Sequence, residues 1–359
     1  MCANRKVRVP VESASPFPDR DIARGKREYF EELFGEEMMM KKLSFALLLG
    51  IVIGFQVLAA HGATISVSQF VEHPALDAVL RGMQDYLKER KVDVSYTIHN
   101  AQANMGTATQ IAQQMIGEKA DLLVAIATPS AQTCVQALAK APADLKRPFL
   151  FTAVTDPVAA GLVKDLQKPD AGITGVSDLL PVEEHLRMVM AYKSDIKKLG
   201  LLYNAGEANS KATIAAIKGL SSKLGFEAVE ATAGKTADVH QAAKSLVGRV
   251  DAVFIPTDNT IVSALESVIK VGVENKLPIF AADVDSVKRG AVAAMGFDYY
   301  QHGRQTGAMA ERILGGEKPE TMPVEFQKDL QLHINAGYSR QMGIEPPAAM
   351  LKKATQVYE

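Results

Sequence analysis

One pattern constrains this chain more than any other: short β-branched runs alternate with helical stretches, and the alternation is written twice. From Thr64 onward, Ile65–Phe70 reads as a strand and 75–89 as a helix whose apolar stripe is Leu76, Val79, Leu80, Met83 and Leu87. Strands over 92–98, 122–127 and 149–153 follow, separated by helices over 107–116 and 129–139. The same order restarts at Leu199, with strands over 200–203, 228–231, 252–255 and 279–281 and helices over 211–224, 239–246 and 261–271. Strands separated by helices of this kind predict βαβ units and a parallel sheet. The echo is also in the letters, because DLLVAIATPS corresponds to DAVFIPTDN and RPFLFTAVTDPV to LPIFAADVDSV. Asp121 and Asp251, Thr128 and Thr257, Pro148 and Pro278, and Asp156 and Asp285 each stand 129 or 130 positions apart. One such match is within chance; four at a nearly constant offset predict two α/β lobes of one design.

The first 63 residues read differently. Lys41 and Lys42 precede an apolar run whose uninterrupted core, FALLLGIVIGF, is too short to span a bilayer comfortably but suits the apolar region of an export signal. Small residues follow at Ala59, Ala60, Gly62 and Ala63, so cleavage is expected after Gly62 or Ala63. A retained membrane anchor is the alternative. Residues 1–38 are expected to be a mis-assigned or disordered leader, with synthesis starting at Met38, Met39 or Met40, and 39–63 a signal peptide. The h-region ends without a Cys, so no lipid anchor is expected there, and the product should be periplasmic.

Composition removes several classes. Lys and Arg number 40 against 41 Asp and Glu, so there is no basic excess of the kind a nucleic-acid binder carries. Two cysteines, Cys2 and Cys134, supply neither a disulfide framework nor a Cys-based metal site. The seven His are scattered without metal-ligand spacing, and G-x-S-x-G, H-E-x-x-H, P-loop and dinucleotide-binding motifs are missing. No cofactor and no metal are expected, and no enzymatic activity.

In open parallel sheets, ligands bind beyond the carboxyl ends of the strands. Those positions are Phe70 to His73, Asn100 to Gln102, Thr128 to Ser130, Thr155-Asp156, Asn204 to Glu207, Thr257 to Asn259, Asp283 to Ser286 and Gly296 to Asp298. The set is rich in hydroxyls, amides and carboxylates, which suits a small polar solute. Thr128-Pro129-Ser130 opens a helix, where free N–H groups hold a carboxylate or the hydroxyl simply caps the turn. Thr257-Asp258-Asn259 has the same two readings, and an Asp there suits an ammonium group better. Asp156, Asp283 and Asp285 also fit plain turn chemistry, and Glu72-His73 a solvated loop.

The segments SQFVEHPALDAV, VAIATPSAQ, FTAVTDPVAAGLV, GVSDLLPVEEHL, LYNAGEANS, VDAVFIPTDNTIVSALE and DSVKRGAVAAMGFDYYQHGRQTG resemble the ABC-transporter substrate-binding proteins of the tryptophan/tyrosine-binding type. The resemblance runs from about Thr64 to Ile344. It implies a type I periplasmic binding protein: two Rossmann-like lobes with parallel sheets, a three-segment hinge, and ligand trapped by closure. The hinge is expected near Val176–Leu179, near Phe297–Tyr300 and after Val324. Lobe 1 is then 64–177 plus 298–324, and lobe 2 is 178–297 plus 325–359.

The resemblance further implies an aromatic amino acid as solute, an ABC permease as partner, and a monomer. A zwitterionic ligand needs donors for its carboxylate, here Thr128, Ser130 and Thr155, and a carboxylate for its ammonium, here Asp285 or Asp258. Phe70, Tyr203 and Phe297 offer apolar faces to an aromatic ring. Glu72, Asn100, Asp156, Asn204 and Thr257 complete the expected ligand-binding set. The same fold holding a branched amino acid, a nucleoside or a sugar is the alternative, and an α/β enzyme a more distant one. A transcriptional regulator would need a helix-turn-helix before Thr64, where the export signal stands instead.

Overall fold

The computed structural model describes residues 62–169 and 172–359. The expected leader and nearly all of the expected export signal therefore lie outside the described residues. Among the described residues, no helix is long and apolar enough to cross a membrane.

Among the described residues, thirteen strands form three sheets. The first contains β1 (Ala63–Gln69), β2 (Val94–Asn100), β3 (Leu122–Ile126), β4 (Phe149–Val154) and β5 (Ile173–Ser177), all parallel, in the order β5-β4-β3-β1-β2. The second is β6 (Lys198–Tyr203), β7 (Glu227–Thr232), β8 (Ala252–Ile255) and β9 (Ile279–Ala281), again parallel, in the order β7-β6-β8-β9. The central strands β3, β4 and β8 are buried along their whole length, as their apolar runs require, with the one hydroxyl among them, that of Thr152, bonded to Thr306. The edge strands β2 and β7 are largely open on one face and read as mixed sequences. A third sheet joins β10 (Ala293–Gly296), β12 (Gln331–Asn335) and β13 (Gln356–Tyr358), with β10 antiparallel to β12. The strand pattern along the sequence did not foretell it.

Two hydrophobic cores match the two sheets. The first holds Phe70, Met83, Leu122, Phe149 and Phe151 and takes back Tyr299, Met309, Ile313 and Val324 from late in the chain. The second runs from Leu180 through Leu202, Phe254 and Phe280 to Phe297 and then Ile334. The chain therefore crosses between cores after Ser177, between Phe297 and Tyr299, and between Phe326 and Gln331. The last crossing falls later than the expected boundary at 324/325, because β11 (Glu325–Phe326) pairs with β5 of the first sheet.

The returning helix Tyr299–Leu314 docks on Pro74–Glu89. Glycine makes that approach possible: a Cβ on Gly82 would stand 2.1 Å from the Tyr300 carbonyl oxygen, and one on Gly303 would stand 2.1 Å from that of Val79. The helix expected over 261–271 is two pieces, Asn259–Ser263 and Leu265–Asn275, broken at Ala264.

Candidate functional site

The carboxyl ends of both parallel sheets converge on one cavity, narrow and part-enclosed between them. Its wall takes His73, Ala75, Leu76, Ala153, Thr155, Asp178 and Tyr299 from the first-core side or the crossings. From the second it takes Asn209, Thr257, Asp258, Asn259, Val262 and Asp283. The lining contains three carboxylates and no Lys or Arg.

Strand order sets the positions of these groups across the cleft. Asp178 follows β5 and Asp283 follows β9, the strands next to the crossings, and Tyr299 begins the returning helix. Tyr299 donates its hydroxyl to Asp178 Oδ2 at 2.8 Å. Asp178 Oδ1 is buried without a partner. Burial pushes the Asp178 carboxyl up, against the pull of the Tyr299 and Thr155 hydroxyls. Asp283 takes the Ser286 N–H on Oδ1 and the Ser286 hydroxyl on Oδ2, and burial pushes it up as well. The Tyr299 hydroxyl is driven well above its ordinary range by burial and by the charge of Asp178, so it remains a donor.

In the middle, β4 and β8 deliver Thr155 and Thr257, whose hydroxyls meet across the cleft at 3.0 Å. At the far side, β1 and β6 lead to His73 and Asn209. His73 accepts the Leu76 N–H on Nδ1, capping its helix, and burial pushes the ring down to about 4, so it is neutral near pH 7.

Glu207 organises the second-core side. Oε1 takes the N–H and hydroxyl of Thr260, and Oε2 takes the N–H and Nδ2 of Asn259 and Nδ2 of Asn209. A buried carboxylate is tolerable when donors surround it in this way.

Several expected site residues are elsewhere. Phe70 and Phe297 are buried in the first and second cores, and Tyr203 turns its hydroxyl to Glu230 on the neighbouring strand. None of the three lines the cavity, whose aromatic groups are Tyr299 and His73. Asp258 does line it, but both oxygens are occupied: Oδ1 caps Ile261 N–H, and Oδ2 takes the Asn204 N–H and the Ser210 hydroxyl. Its carboxyl is pushed up by burial and by Glu207. Asp285 lies outside the lining, and so do Asn100 and Asp156, which accept N–H groups of their own turns. Glu72 is exposed, and Asn204 lines a wider adjoining groove with Phe70 and Glu207. Thr128 and Ser130 open an uncapped helix beyond the lining; the Thr128 hydroxyl has no partner, while Ser130 is bonded to Ser68. Thr155 and Thr257 stand in the wall.

The groups not singled out from sequence are Asp178, Asn209 and Tyr299, with His73, Asn259 and Asp283 recognised only as strand-end residues. Asp178 and Tyr299 fall inside the expected crossing segments, a signal for hinge position that carried none for binding.

The fold and the cleft agree with a match to the family model described as "ABC transporter substrate binding protein", which covers residues 64–358. The chain belongs to that family. A curated member, the "Tyrosine-binding protein" of Clostridioides difficile (strain R20291), is 39% identical over 275 residues, which are 76% of this chain and 78% of that protein. Two solved members superpose well. The "ABC domain in complex with L-Trp" from Streptococcus pneumonia is 33% identical, with a TM-score of 0.77, over 82% of this chain and 99% of that one. The ligand-free, open structure of a substrate-binding protein with adhesive properties from Clostridium difficile is 37% identical, with a TM-score of 0.61, over the same shares. As a substrate-binding protein, the chain is built to hold a small solute for an ABC transporter.

Proposed function

We propose that this protein captures an aromatic amino acid outside the cytoplasm by closing its two lobes, and presents it to the permease of an ABC importer. The observation that carries the reading is Asp178: a buried carboxylate in the cavity wall with one oxygen unpartnered, beside Asp283 and with no cation in the lining. An unpaired buried carboxylate is costly, and an ammonium group offsets that cost with a strong charge-assisted bond. The ligand's carboxylate is held by the hydroxyls of Thr155 and Thr257, which stand in the wall on either side of the cleft. Ala75, Leu76 and Val262 face the side chain.

Support for an aromatic side chain comes from the named relatives, one tyrosine-binding and one holding L-Trp. The chain also superposes better on the L-Trp complex than on the open, ligand-free structure, although the identities are similar. That difference, with the Thr155–Thr257 bond across the cleft, supports a closed arrangement of lobes hinged at the three crossings. In this reading the protein acts as a monomeric carrier, without catalysis and without nucleic acid.

A thermal-shift screen across amino acids, sugars and nucleosides tests it. A true ligand at a hundred times its dissociation constant adds about 2.7 kcal/mol of stability. Tyr, Trp or Phe should raise the melting temperature; a shift with a sugar or nucleoside and none of these three would overturn the assignment. Product formation during incubation with candidate ligands would overturn the carrier role.

A further inference from the structure

The cavity wall holds two buried acceptor atoms that no group among the described residues satisfies, one at a crossing and one on the second-core side. One is Asp178 Oδ1, assigned above to the ligand's ammonium; the other is Asn209 Oδ1. The orientation of the Asn209 amide is not free. Its Nδ2 donates to the Thr257 carbonyl at 2.7 Å and to Glu207 Oε2 at 3.0 Å. A carbonyl oxygen can only accept, so the amide cannot flip without losing that bond, and Oδ1 is the atom left over. Asn209 is 2% exposed, so water from outside does not readily meet that oxygen's need.

The separation follows from strand order. In the second sheet, β9 leads to Asp283 and β6 to Asn209, with β8 between them. Asn209 stands in the helix after β6 and its amide reaches the Thr257 carbonyl at the end of β8, which leaves it one strand away from β9 and Asp283. In the first sheet, Asp178 follows β5, which lies near the crossings, while His73 follows β1, three steps away. The ammonium end therefore lies at the crossing side, and Asn209 faces whatever the ligand carries at its other end. Leu76, Ala75 and Val262 lie in the same wall and fit an apolar body between two polar tips.

We infer that Asn209 reads a hydrogen-bond donor on the ligand's side chain, so that the site prefers rings carrying an N–H or O–H over rings carrying none. This rests on the amino-acid reading proposed above. It adds that Tyr and Trp are ligands and that Phe is discriminated against. A site that leaves a buried polar atom unpaired rejects the analogue lacking its partner much more strongly than a missing methylene would be rejected.

Calorimetric titration of the protein with Tyr, Phe, Trp and 3-benzothienylalanine, a Trp isostere without the N–H, tests the inference. Native protein should bind Tyr over Phe, and Trp over its isostere, by about tenfold or more. In Asn209→Ala both ratios should fall towards one, with affinity for Phe changing much less than affinity for Tyr. A purely structural role, or a contact to the ammonium, would weaken Tyr and Phe by the same factor and leave the ratios unchanged, which overturns the assignment. The native ratios decide the matter even if the variant does not fold: Phe binding as tightly as Tyr refutes a donor-reading group. Failure of all four ligands to bind refutes the amino-acid reading itself, a result distinct from binding without discrimination.

Discussion

At the end of β3 the chain enters its helix through Ala127 at φ 81°, with no side-chain cap and with the Thr128 hydroxyl unpartnered. At the end of β8, the position that echoes it in sequence, Asp258 caps the helix and Glu207 gathers donors from Asn209, Asn259 and Thr260. The two turns share a place in the fold and a sequence ancestry of pattern, yet one is saturated and the other is left open. A second echoed pair diverges in the same way. Asp156 accepts the N–H groups of Val158 and Ala159, while burial and the charges of Asp283 and Asp298 push Asp285 up to about 7. A repeated backbone thus fixes where polar groups stand, and the neighbours decide whether each one serves the fold or remains available to a ligand.

The sharpest break between equivalent-looking carboxylates should come from Asp178→Ala. Loss of a buried charge partner costs about 2–5 kcal/mol of binding, so affinity should fall about a hundredfold or more. Asp285→Ala, outside the cavity, should stay within about threefold in the same titration. Equal losses would show that the ammonium is misplaced.

Next in size is Glu207→Ala, which strands several buried donors at once. Denaturant unfolding should show a loss of about 3 kcal/mol or more. At the corresponding turn of the first lobe, Thr128→Val should leave stability within about 0.5 kcal/mol and ligand affinity within about threefold. A Thr128→Val variant that unfolds as readily as Glu207→Ala would erase the distinction between the two turns.

The pH response of Asp285 sharpens the second pair. Its folded-state pKa is raised to about 7 from 3.8, so between those values the folded protein holds a proton that the unfolded chain has released. Stability from this group is full at low pH and is lost as pH rises through about 7. Asp285→Asn removes that loss, so the variant should gain on the native protein from pH 4 to pH 8. The gain should reach on the order of 2 kcal/mol, discounted for partial exposure. A gain that shrinks as pH rises would contradict the sign.

Much of the architecture was legible because buried parallel strands are almost wholly apolar, as LLVAI is and as FLFTAV is apart from Thr152, and because amphipathic helices must space their apolar residues. The third sheet was hidden because its strands are short: β13 has three residues, too few to show a period. Hydroxyls at strand ends were also legible, and Thr155 and Thr257 do meet in the cleft. The three rings stand outside the cavity lining because adjacency to a strand end says nothing about which face a side chain takes. Phe70 turns into its core, and Tyr203 bonds sideways to Glu230.

By itself, then, the sequence determined two α/β lobes, their parallel sheets and the family, since each follows from local periodicity and contiguous motifs. Tertiary structure alone decided which polar atoms are left without partners. Asp178, Asn209 and Tyr299 come from a crossing, a helix start and a returning helix, far apart along the chain. Whether such a group is satisfied depends on partners brought to it from elsewhere, as the Thr257 carbonyl is brought to the Asn209 amide, and no local pattern encodes that arrangement.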